Sequence, residues 1–359
     1  MIEIYPDTKV FVTCPANVAT GGPELLHQLA YHFINYLNVD AFMYYYSFNS
    51  NKFKTPVHPE YEIYDVPYVL KIPENEDVKR NILIASEILS SLSLLPNYKS
   101  IRKGVWFLGV DIYYYSRLTI KDFFIKRAIN KISKIIIKKT LIDFDITSRE
   151  VVDQLMIKYD YRKDPLLKNA DFFMSQSNYA INHFKELSPD YYLSDYLNED
   201  FLKTETNLSQ KENIVVYNPK KGFAFTKKII SSAKDIKFVP LINMSREEVI
   251  KTLQKAKVYI DFGNHSGKDR IPREAAILGC CVITGKRGSA AYFEDVPIPD
   301  EYKFDDKEEN IPKIIEKIRD YFENFGERYK DFDYYRQIIK NEPEKFVEDL
   351  KNIFVKVDK

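Results

Sequence analysis

The chain has 359 residues, a formal net charge of +1 at pH 7 and an apolar fraction of 45%. A near-neutral charge argues against a protein built mainly around a nucleic-acid backbone, and the apolar fraction is that of a globular protein with proper cores. No run approaches the roughly 18 apolar residues of a membrane-spanning helix. The three cysteines, Cys14, Cys280 and Cys281, lack the spacing of a disulfide framework. We therefore expect buried thiols and a cytoplasmic protein of two domains.

The first half of the chain alternates between apolar runs and amphipathic segments. An apolar run at 10–13 precedes a loop that ends in Gly21 and Gly22, and the apolar residues of 23–37 then recur with the period of a helix. Further elements are predicted as a strand at 40–48, a helix at 87–95, a strand at 104–110 and a strand, turn and helix over 169–187. This alternation is typical of a parallel sheet covered by helices.

Residues 195–213 are polar and follow no clear period, which indicates a linker. After them the alternation restarts, and Ser245 with Glu248 three residues later has the pattern of a helix capping box. The predicted units are a Rossmann-like domain over 1–195, a linker over 196–212, a second Rossmann-like domain over 213–335 and a C-terminal helix over 336–359 that packs back on the first domain. Two such domains in tandem place a cleft between them, at the carboxyl ends of the strands.

Most glycines of the chain fall in loops that follow predicted strands. They are eight of the 11: Gly21, Gly22, Gly222, Gly263, Gly267, Gly279, Gly285 and Gly288. Glycine at a strand end permits a positive φ or a close backbone approach. The N-terminus of the helix that follows offers free N–H groups and a partial positive charge, which favour phosphate as the ligand.

The densest stretch, 262–289, is predicted to contain two strand-end loops around a short helix. Pro272 suits the start of that helix, and Gly279 suits its end. The loop GKRGS then carries two basic residues between glycines, which fits a diphosphate, and Ser289 is predicted to cap a further helix over 290–295.

Three segments resemble the glycosyltransferases of the two-domain GT-B fold, in particular the large retaining group that uses nucleotide-sugar donors. GGPELLHQLAYHF is similar to the Gly-Gly loop and first helix of that family, NPKKGF to its lysine-bearing loop, and AKVYIDFG…PREAAILGCCVITGKRGS to its strand, helix, strand and glycine-rich loop. The resemblance implies an α/β protein with two Rossmann-like domains that face a central cleft, the first on the acceptor side and the second holding the donor.

The resemblance also implies the reaction. A sugar would move from a nucleotide-diphosphate-sugar to a glycan or lipid-linked glycan acceptor, in surface polysaccharide biosynthesis. Retention of configuration, independence of metal ions and no cofactor besides the donor substrate are expected with it. The alternatives are a catalytically inactive glycan-binding or scaffold subunit with this fold and a nucleotide-sugar epimerase.

Residues of the family's donor site match positions of this sequence. The glutamate that binds the donor ribose matches Glu274. A second glutamate, eight positions earlier in the family, contacts the donor sugar, and Ser266 stands in its place here. Asn264, His265 and Asp269 are the alternatives for its role. The expected donor contacts are Gly21, Gly22, Lys220, Lys221, Gly222, Arg270, Arg273, Glu274, Lys286, Arg287, Gly288 and Ser289.

Three residues are expected to take part in the chemistry: Lys221, His265 and Asp111. Lys221, or its neighbour Lys220, would neutralise the leaving diphosphate, since a fixed cation stabilises the charge that develops there. Asp111 follows an apolar strand and would be the base for the acceptor. The alternatives are two solvated lysines and a carboxylate that only ends a strand.

Arg270 and Arg273 would bind phosphate oxygens with their planar guanidinium groups. The alternative for both is a salt bridge with Asp269 or Glu274. His27 and His32 lie within the first predicted helix and are expected to be structural.

The segment 117–142 is a basic amphipathic helix by its pattern. Such a helix binds an anionic membrane, which would place the protein at the inner membrane face, or it packs as an ordinary helix with solvated lysines. The sequence IDFDI at 142–146 has the form of an Asp-x-Asp metal motif, but it lies inside the first domain and lacks glycine-rich flanking segments. No metal site is predicted.

Overall fold

A computed structural model describes residues 1–118, 149–189 and 191–357. Its strands form two large parallel sheets and one strand pair. They are β1 (Ile2–Ile4), β2 (Lys9–Pro15), β3 (Asp40–Tyr46), β4 (Tyr68–Val69), β5 (Ile82–Ser86), β6 (Arg102–Phe107), β7 (Phe172–Ser175), β8 (Tyr191–Tyr192), β9 (Glu212–Tyr217), β10 (Lys237–Pro240), β11 (Ala256–Asp261), β12 (Cys281–Gly285), β13 (Lys303–Phe304) and β14 (Phe354–Lys356).

The described helices cover the faces of these sheets. They are α1 (Gly21–Asn35), α2 (Leu89–Leu92), α3 (Val110–Tyr115), α4 (Arg149–Lys158), α5 (Asn178–His183), α6 (Glu199–Leu202), α7 (Phe223–Ser232), α8 (Arg246–Lys255), α9 (Arg270–Ile277), α10 (Ile311–Glu323), α11 (Phe325–Arg328) and α12 (Asp333–Ile353). None of them is long and apolar enough to cross a membrane.

The first sheet has the strand order β4-β3-β2-β5-β6-β7-β8, and the second has the order β10-β9-β11-β12-β13. Strand β5 is buried along its whole length, as is usual for a parallel strand with helices on both faces. The predicted α/β class with parallel sheets is therefore confirmed.

The C-terminal part of the chain joins both cores. Tyr335 and Ile339 of helix α12 lie in the apolar core of the second sheet, and Phe346 and Leu350 of the same helix lie in a core of the first sheet. Strand β14 then pairs in parallel with β1 at the start of the chain. The long helix thus ties the two sheets together.

Several local predictions are confirmed. Ser245 and Glu248 form the capping box of helix α8, Gly279 has a φ of +83° after helix α9, and the three cysteines are buried and free. The basic segment 117–142, apart from its first two residues, and the segment 142–146 lie outside the described residues.

Other local predictions are wrong, and one strand, β5, was not predicted. The helix at 87–95 is reduced to Leu89–Leu92 and a short 3-10 turn. The strand at 104–110 ends at Phe107, because Val110 already begins helix α3. In place of a helix over 290–295 there is a 3-10 turn, Gly288–Ala291.

Candidate active site between the two sheets

A cavity of about 580 Å³ lies between the two sheets. Its wall is formed by residues that lie at or after the carboxyl ends of strands in both sheets, which is where parallel α/β sheets bind ligands. The first sheet contributes Pro15, Gly21, Gly22, Ser86, Glu87, Leu108, Gly109 and Gln176, and the second contributes Asn218, Lys221, Asp261, Ser266, Gly267, Lys268, Asp269, Arg270 and Ile271.

The N-terminus of helix α1 opens on this cavity. The cap residue Thr20 has an extended backbone, and its side chain makes no capping hydrogen bond. Gly21 and Gly22, predicted in a loop, form the first turn of the helix instead. A Cβ on Gly21 would lie 3.2 Å from Cδ of Arg270. The N–H groups of a helix N-terminus and a guanidinium group thus meet at one side of the cavity, a combination suited to an anion.

Lys221 reaches the cavity from the loop after β9, and its Nζ lies 2.8 and 3.0 Å from the two carboxylate oxygens of Asp269. Burial lowers the pKa of Lys221, but the attraction of Asp269 and Asp261 and the hydrogen bonds to Asp269 together outweigh this effect and raise the pKa above its ordinary value. The ammonium group is therefore charged at neutral pH. The neighbouring Lys220 is exposed and lies outside the cavity wall.

Gly222 and Gly288 fit their places only as glycine. Gly222 has a φ of +60°, and a Cβ there would lie 2.2 Å from the carbonyl oxygen of Phe262. Gly288 has a φ of +55°, and a Cβ there would lie 1.9 Å from the carbonyl oxygen of His265. Both glycines therefore allow the loops at the carboxyl ends of the strands to pack against each other.

His265 lies behind the cavity wall with no exposed surface. Its Nδ1 is 3.4 Å from Oδ2 of Asp269, and its Nε2 is 3.7 Å from Oδ1 of Asp261. Neither ring nitrogen has a hydrogen-bond partner among the described residues. Asp261 itself accepts hydrogen bonds from the Gly263 N–H, at 2.9 Å, and from the Tyr259 hydroxyl, at 2.8 Å.

Asp261, His265 and Asp269 together form a cluster that the sequence analysis did not identify as a set. Their ligand atoms lie within 4.8 Å of one another, so the three side chains have a spacing that can hold a metal ion. The sequence shows that these residues are spaced four apart. It does not show that the loop folds back on itself and brings their side chains together. In the structure the ammonium group of Lys221 supplies a positive charge next to this cluster.

Arg270 and Arg273 occupy different environments. Arg270 lines the cavity, and its Nη1 donates to Glu24 Oε2 at 2.6 Å. Arg273 has no exposed surface, and its guanidinium group donates to Asp195 at 2.7 Å and to Glu342 at 2.9 Å. The expectation that Arg273 contacts the donor is therefore corrected, because its donors are committed to a buried ion-pair network.

Glu274 is buried on helix α9 and lies outside the cavity wall. Burial raises its pKa above the ordinary value, and the nearby Arg270 and Arg273 oppose this effect. Its role as a ribose contact stays a prediction.

A smaller cavity of about 150 Å³ is lined by another group of the predicted site residues. Its wall includes Asp111, Lys286, Arg287 and Gly288. Arg287 donates from Nε to Asp306 Oδ1 at 3.0 Å. Burial raises the pKa of Asp111 to about 6; repulsion by Asp269 adds to the increase, while Lys221 opposes it.

Asp111 and Ser289 both differ from the predicted geometry. Asp111 is not at a strand end but in the first turn of helix α3. Ser289 does not cap a helix; its buried hydroxyl donates to the carbonyl of Gly267 at 2.5 Å. It thereby joins the two loops of the second sheet and contributes to neither cavity.

Glu87 is a residue of the large cavity that the sequence analysis missed. It follows β5 directly, is 2% exposed, and accepts a hydrogen bond from the Leu108 N–H at 3.0 Å. Burial raises the pKa of Glu87 to about 7, although backbone N–H groups, that of Leu108 first, oppose the increase. The only signal in the sequence was a charged residue directly after an apolar run.

The two sheets are joined by hydrogen bonds beside the large cavity. The Val110 N–H donates to the Ser266 carbonyl at 2.8 Å, and the Lys268 N–H donates to Gln176 Oε1 at 2.9 Å. Asp295 also accepts hydrogen bonds from the first-turn N–H groups of helix α5, at 2.8 and 2.9 Å. The loops of the second sheet thus close over two helix N-termini of the first.

No known family's sequence model matches the chain, and no curated protein matches it by sequence. Solved structures do match it over nearly its whole length. A sucrose-phosphate synthase from Thermosynechococcus elongatus is 11% identical with a TM-score of 0.62, covering 96% of this chain and 98% of the other. A glycosyltransferase from Rickettsia africae is 13% identical with a TM-score of 0.56, covering 97% and 94%.

The Anabaena protein HepE, in complex with UDP-glucose, is 9% identical with a TM-score of 0.53, and the match covers 96% of this chain and 98% of HepE. At these sequence identities, the matches show a shared architecture but not a shared reaction. With its two parallel sheets, the cavity between them and these likenesses, the chain has the GT-B fold of glycosyltransferases.

Proposed function

We propose that the chain is a glycosyltransferase that moves a sugar from a nucleotide-diphosphate-sugar donor to an acceptor hydroxyl. The observation that carries the proposal is the 580 Å³ cavity of a GT-B fold, in which the N-terminus of helix α1 faces Lys221 and Arg270. The solved complex of HepE, a protein of the same fold, with UDP-glucose favours a uridine nucleotide as the first donor to test.

The donor diphosphate would bind between the helix N-terminus and Lys221. Negative charge develops on the diphosphate as the bond between the sugar and the phosphate oxygen breaks. A cation held next to that oxygen stabilises the transition state more than the ground state. The first turn, with Gly21 and Gly22, lets the phosphates approach the backbone N–H groups closely.

The acceptor would enter along the wall of the first sheet. That wall is largely aliphatic and includes the exposed side chains of Val18 and Ile112 together with Ile88 and Leu108. An aliphatic wall supports an acceptor with an apolar portion, such as the lipid-linked glycan that the sequence resemblance implies. Transfer to such an acceptor would belong to surface polysaccharide assembly.

Metal independence and retention of configuration belong to the same proposal. Lys221 is charged, and in this proposal its ammonium group would neutralise the leaving group in place of a divalent cation. The chelator EDTA should therefore leave the transfer rate unchanged. A rate that is lost on chelation and restored by a divalent cation would contradict metal independence, and Asp261, His265 and Asp269 would then be the candidate ligands to substitute.

The test is a screen of nucleotide-diphosphate-sugars, with calorimetry for binding and mass spectrometry for products. Binding of one donor, followed by transfer or slow hydrolysis, is the expected result. If no nucleoside diphosphate binds, the proposal fails. Binding without turnover would indicate a glycan-binding or scaffold subunit, and conversion of the donor sugar without transfer would indicate an epimerase.

A further inference from the structure

Every cation in the wall of the large cavity has a carboxylate partner. Lys221 pairs with Asp269 at 2.8 Å, Arg270 with Glu24 at 2.6 Å, and Lys268 with Glu342 at 2.7 Å. A diphosphate that enters the cavity therefore meets cations whose charge is already compensated. At least one of these ion pairs must open if the diphosphate is to replace a carboxylate as the charged partner of a cation.

The three pairs differ in how easily they can exchange. The side chains of Lys268 and Glu342 are each 5% exposed, and those of Arg270 and Glu24 are 20% and 6% exposed. Lys221 is 33% exposed and Asp269 is 16% exposed. Because separating a buried pair leaves an uncompensated charge, the Lys221–Asp269 pair is the one that can open at the lowest cost.

Asp269 has a second partner available when Lys221 leaves. The Nδ1 atom of His265 lies 3.4 Å from Asp269 Oδ2 and has no hydrogen-bond partner among the described residues. A small rotation of the carboxylate would bring the two atoms into hydrogen-bond distance. The carboxylate would then stay partnered after the exchange.

We infer that Asp269 competes with the donor diphosphate for Lys221, so that donor binding exchanges the Lys221–Asp269 ion pair for a Lys221–phosphate contact and an Asp269–His265 contact. The inference rests on the proposed function, because it assigns the diphosphate to this cavity. It makes Asp269 a residue that sets donor affinity without contacting the donor, and it gives the buried His265 a positioning role.

The test is the variant Asp269→Asn, with UDP as the probe and calorimetry as the measurement. Asn keeps the shape of the side chain and suits the N-cap position that Asp269 holds at helix α9, where the Asp269 side chain makes no capping hydrogen bond. The Asp269 carbonyl that accepts from Arg273 Nε is untouched. We expect UDP to bind about ten-fold more tightly than to the wild-type protein.

The matched control is Asp235→Asn. It removes one carboxylate from an exposed ion pair with Arg319, which lies on helix α10 beside the second sheet. Its affinity for UDP should equal that of the wild type. A second variant, Asp269→Ser, also suits an N-cap and should show the same gain as Asp269→Asn. Melting curves without UDP report whether each variant is folded.

A double variant separates competition for Lys221 from simple repulsion between two anions. In the Lys221→Gln background, competition predicts that Asp269→Asn improves the affinity by less than about three-fold. Thermal-shift titrations, which tolerate millimolar dissociation constants, provide that comparison. A full ten-fold gain in this background would overturn the inference, because Asp269 would then act on the ligand and not on Lys221.

Two further outcomes distinguish the inference from the proposed function. If the wild-type protein binds UDP and Asp269→Asn binds it equally or more weakly, Asp269 serves to hold Lys221 in place for the donor, and only the inference is overturned. If neither protein binds UDP or any other nucleoside diphosphate, the proposed function and the inference fail together.

Discussion

The side-chain oxygen of Ser266 lies 3.1 Å from the backbone nitrogen of Asp111 and accepts its hydrogen bond. The Ile112 N–H donates to the same oxygen at 3.3 Å, so a loop of the second sheet caps a helix of the first. The fit is close, since a Cβ on Gly109 would lie 2.5 Å from Ser266 Oγ. Ser266, which the resemblance aligns with a sugar-contacting glutamate, therefore contributes to holding the two sheets together.

The variant Ser266→Ala should destabilise the protein by about 1 kcal/mol, the usual cost of losing a helix cap. The free energy of unfolding in urea provides the measurement. Ser231→Ala is the control, since the Ser231 hydroxyl donates only to a carbonyl within its own helix at an exposed site. Equal stability of the two variants would contradict the capping role.

The variant Arg273→Met should destabilise the fold by about 3 to 5 kcal/mol, because it leaves buried carboxylates without their partner. Asp195 and Glu342 are 4% and 5% exposed at these contacts. Arg319→Met removes an exposed arginine from its pair with Asp235, at side-chain exposures of 52% and 65%, and should change stability by less than about 0.5 kcal/mol. If Arg273→Met were as stable as the wild-type protein, the buried ion pairs would contribute nothing to the free energy of unfolding.

The alternation of strands and helices was predictable from local pattern, and the strand β5 shows where that method fails. Its five residues are all buried, so they carry no alternation between apolar and polar positions that would distinguish a strand from a buried helix. Ser289 shows another failure. As a residue before an apolar run it has the local pattern of an N-cap, but its hydroxyl bonds to a carbonyl 22 residues away.

The lining of the large cavity was predictable where its residues follow predicted strands and have a local signal. Gly21, Gly22, Lys221 and Arg270 line one cavity, as their positions after strands indicated. Arg273 could not be assigned correctly from sequence, because its partner Asp195 is 78 residues distant. Glu87 was missed for a related reason, since its hydrogen-bond donor, the Leu108 N–H, is 21 residues away.

Glu87 should give the stability of the protein a characteristic pH dependence. Its pKa is raised from 4.5 to about 7 in the fold, so between these values the folded state binds a proton that the unfolded state has lost. The contribution of Glu87 to stability must therefore fall as pH rises through this window and level off above it. Glu87→Gln, which keeps a neutral side chain, should become more stable than wild type by on the order of 3 kcal/mol at pH 8 and match it at pH 4.

The measurement is urea unfolding of both proteins from pH 4 to pH 8. Parallel stability curves would show that the pKa of Glu87 is the same in the folded and unfolded states. The hydrogen bond from the Leu108 N–H to Glu87 is kept in the variant, because the amide oxygen of Gln also accepts. The difference in the free energy of unfolding between the two proteins therefore reports the protonation of Glu87.

Two adjacent lysines provide the sharpest test of the proposed chemistry. Lys221→Gln should lower kcat for sugar transfer by roughly 10²-fold, because the charge that stabilises the leaving diphosphate is lost. Lys220→Gln removes the same charge one residue earlier, but this side chain is exposed and lies outside the cavity wall, so its kcat should stay within about two-fold of wild type. Steady-state product formation, measured by mass spectrometry with the best donor, compares the two. Similar losses in both variants would mean that a general positive potential, and not a positioned ammonium group, assists the departure of the diphosphate.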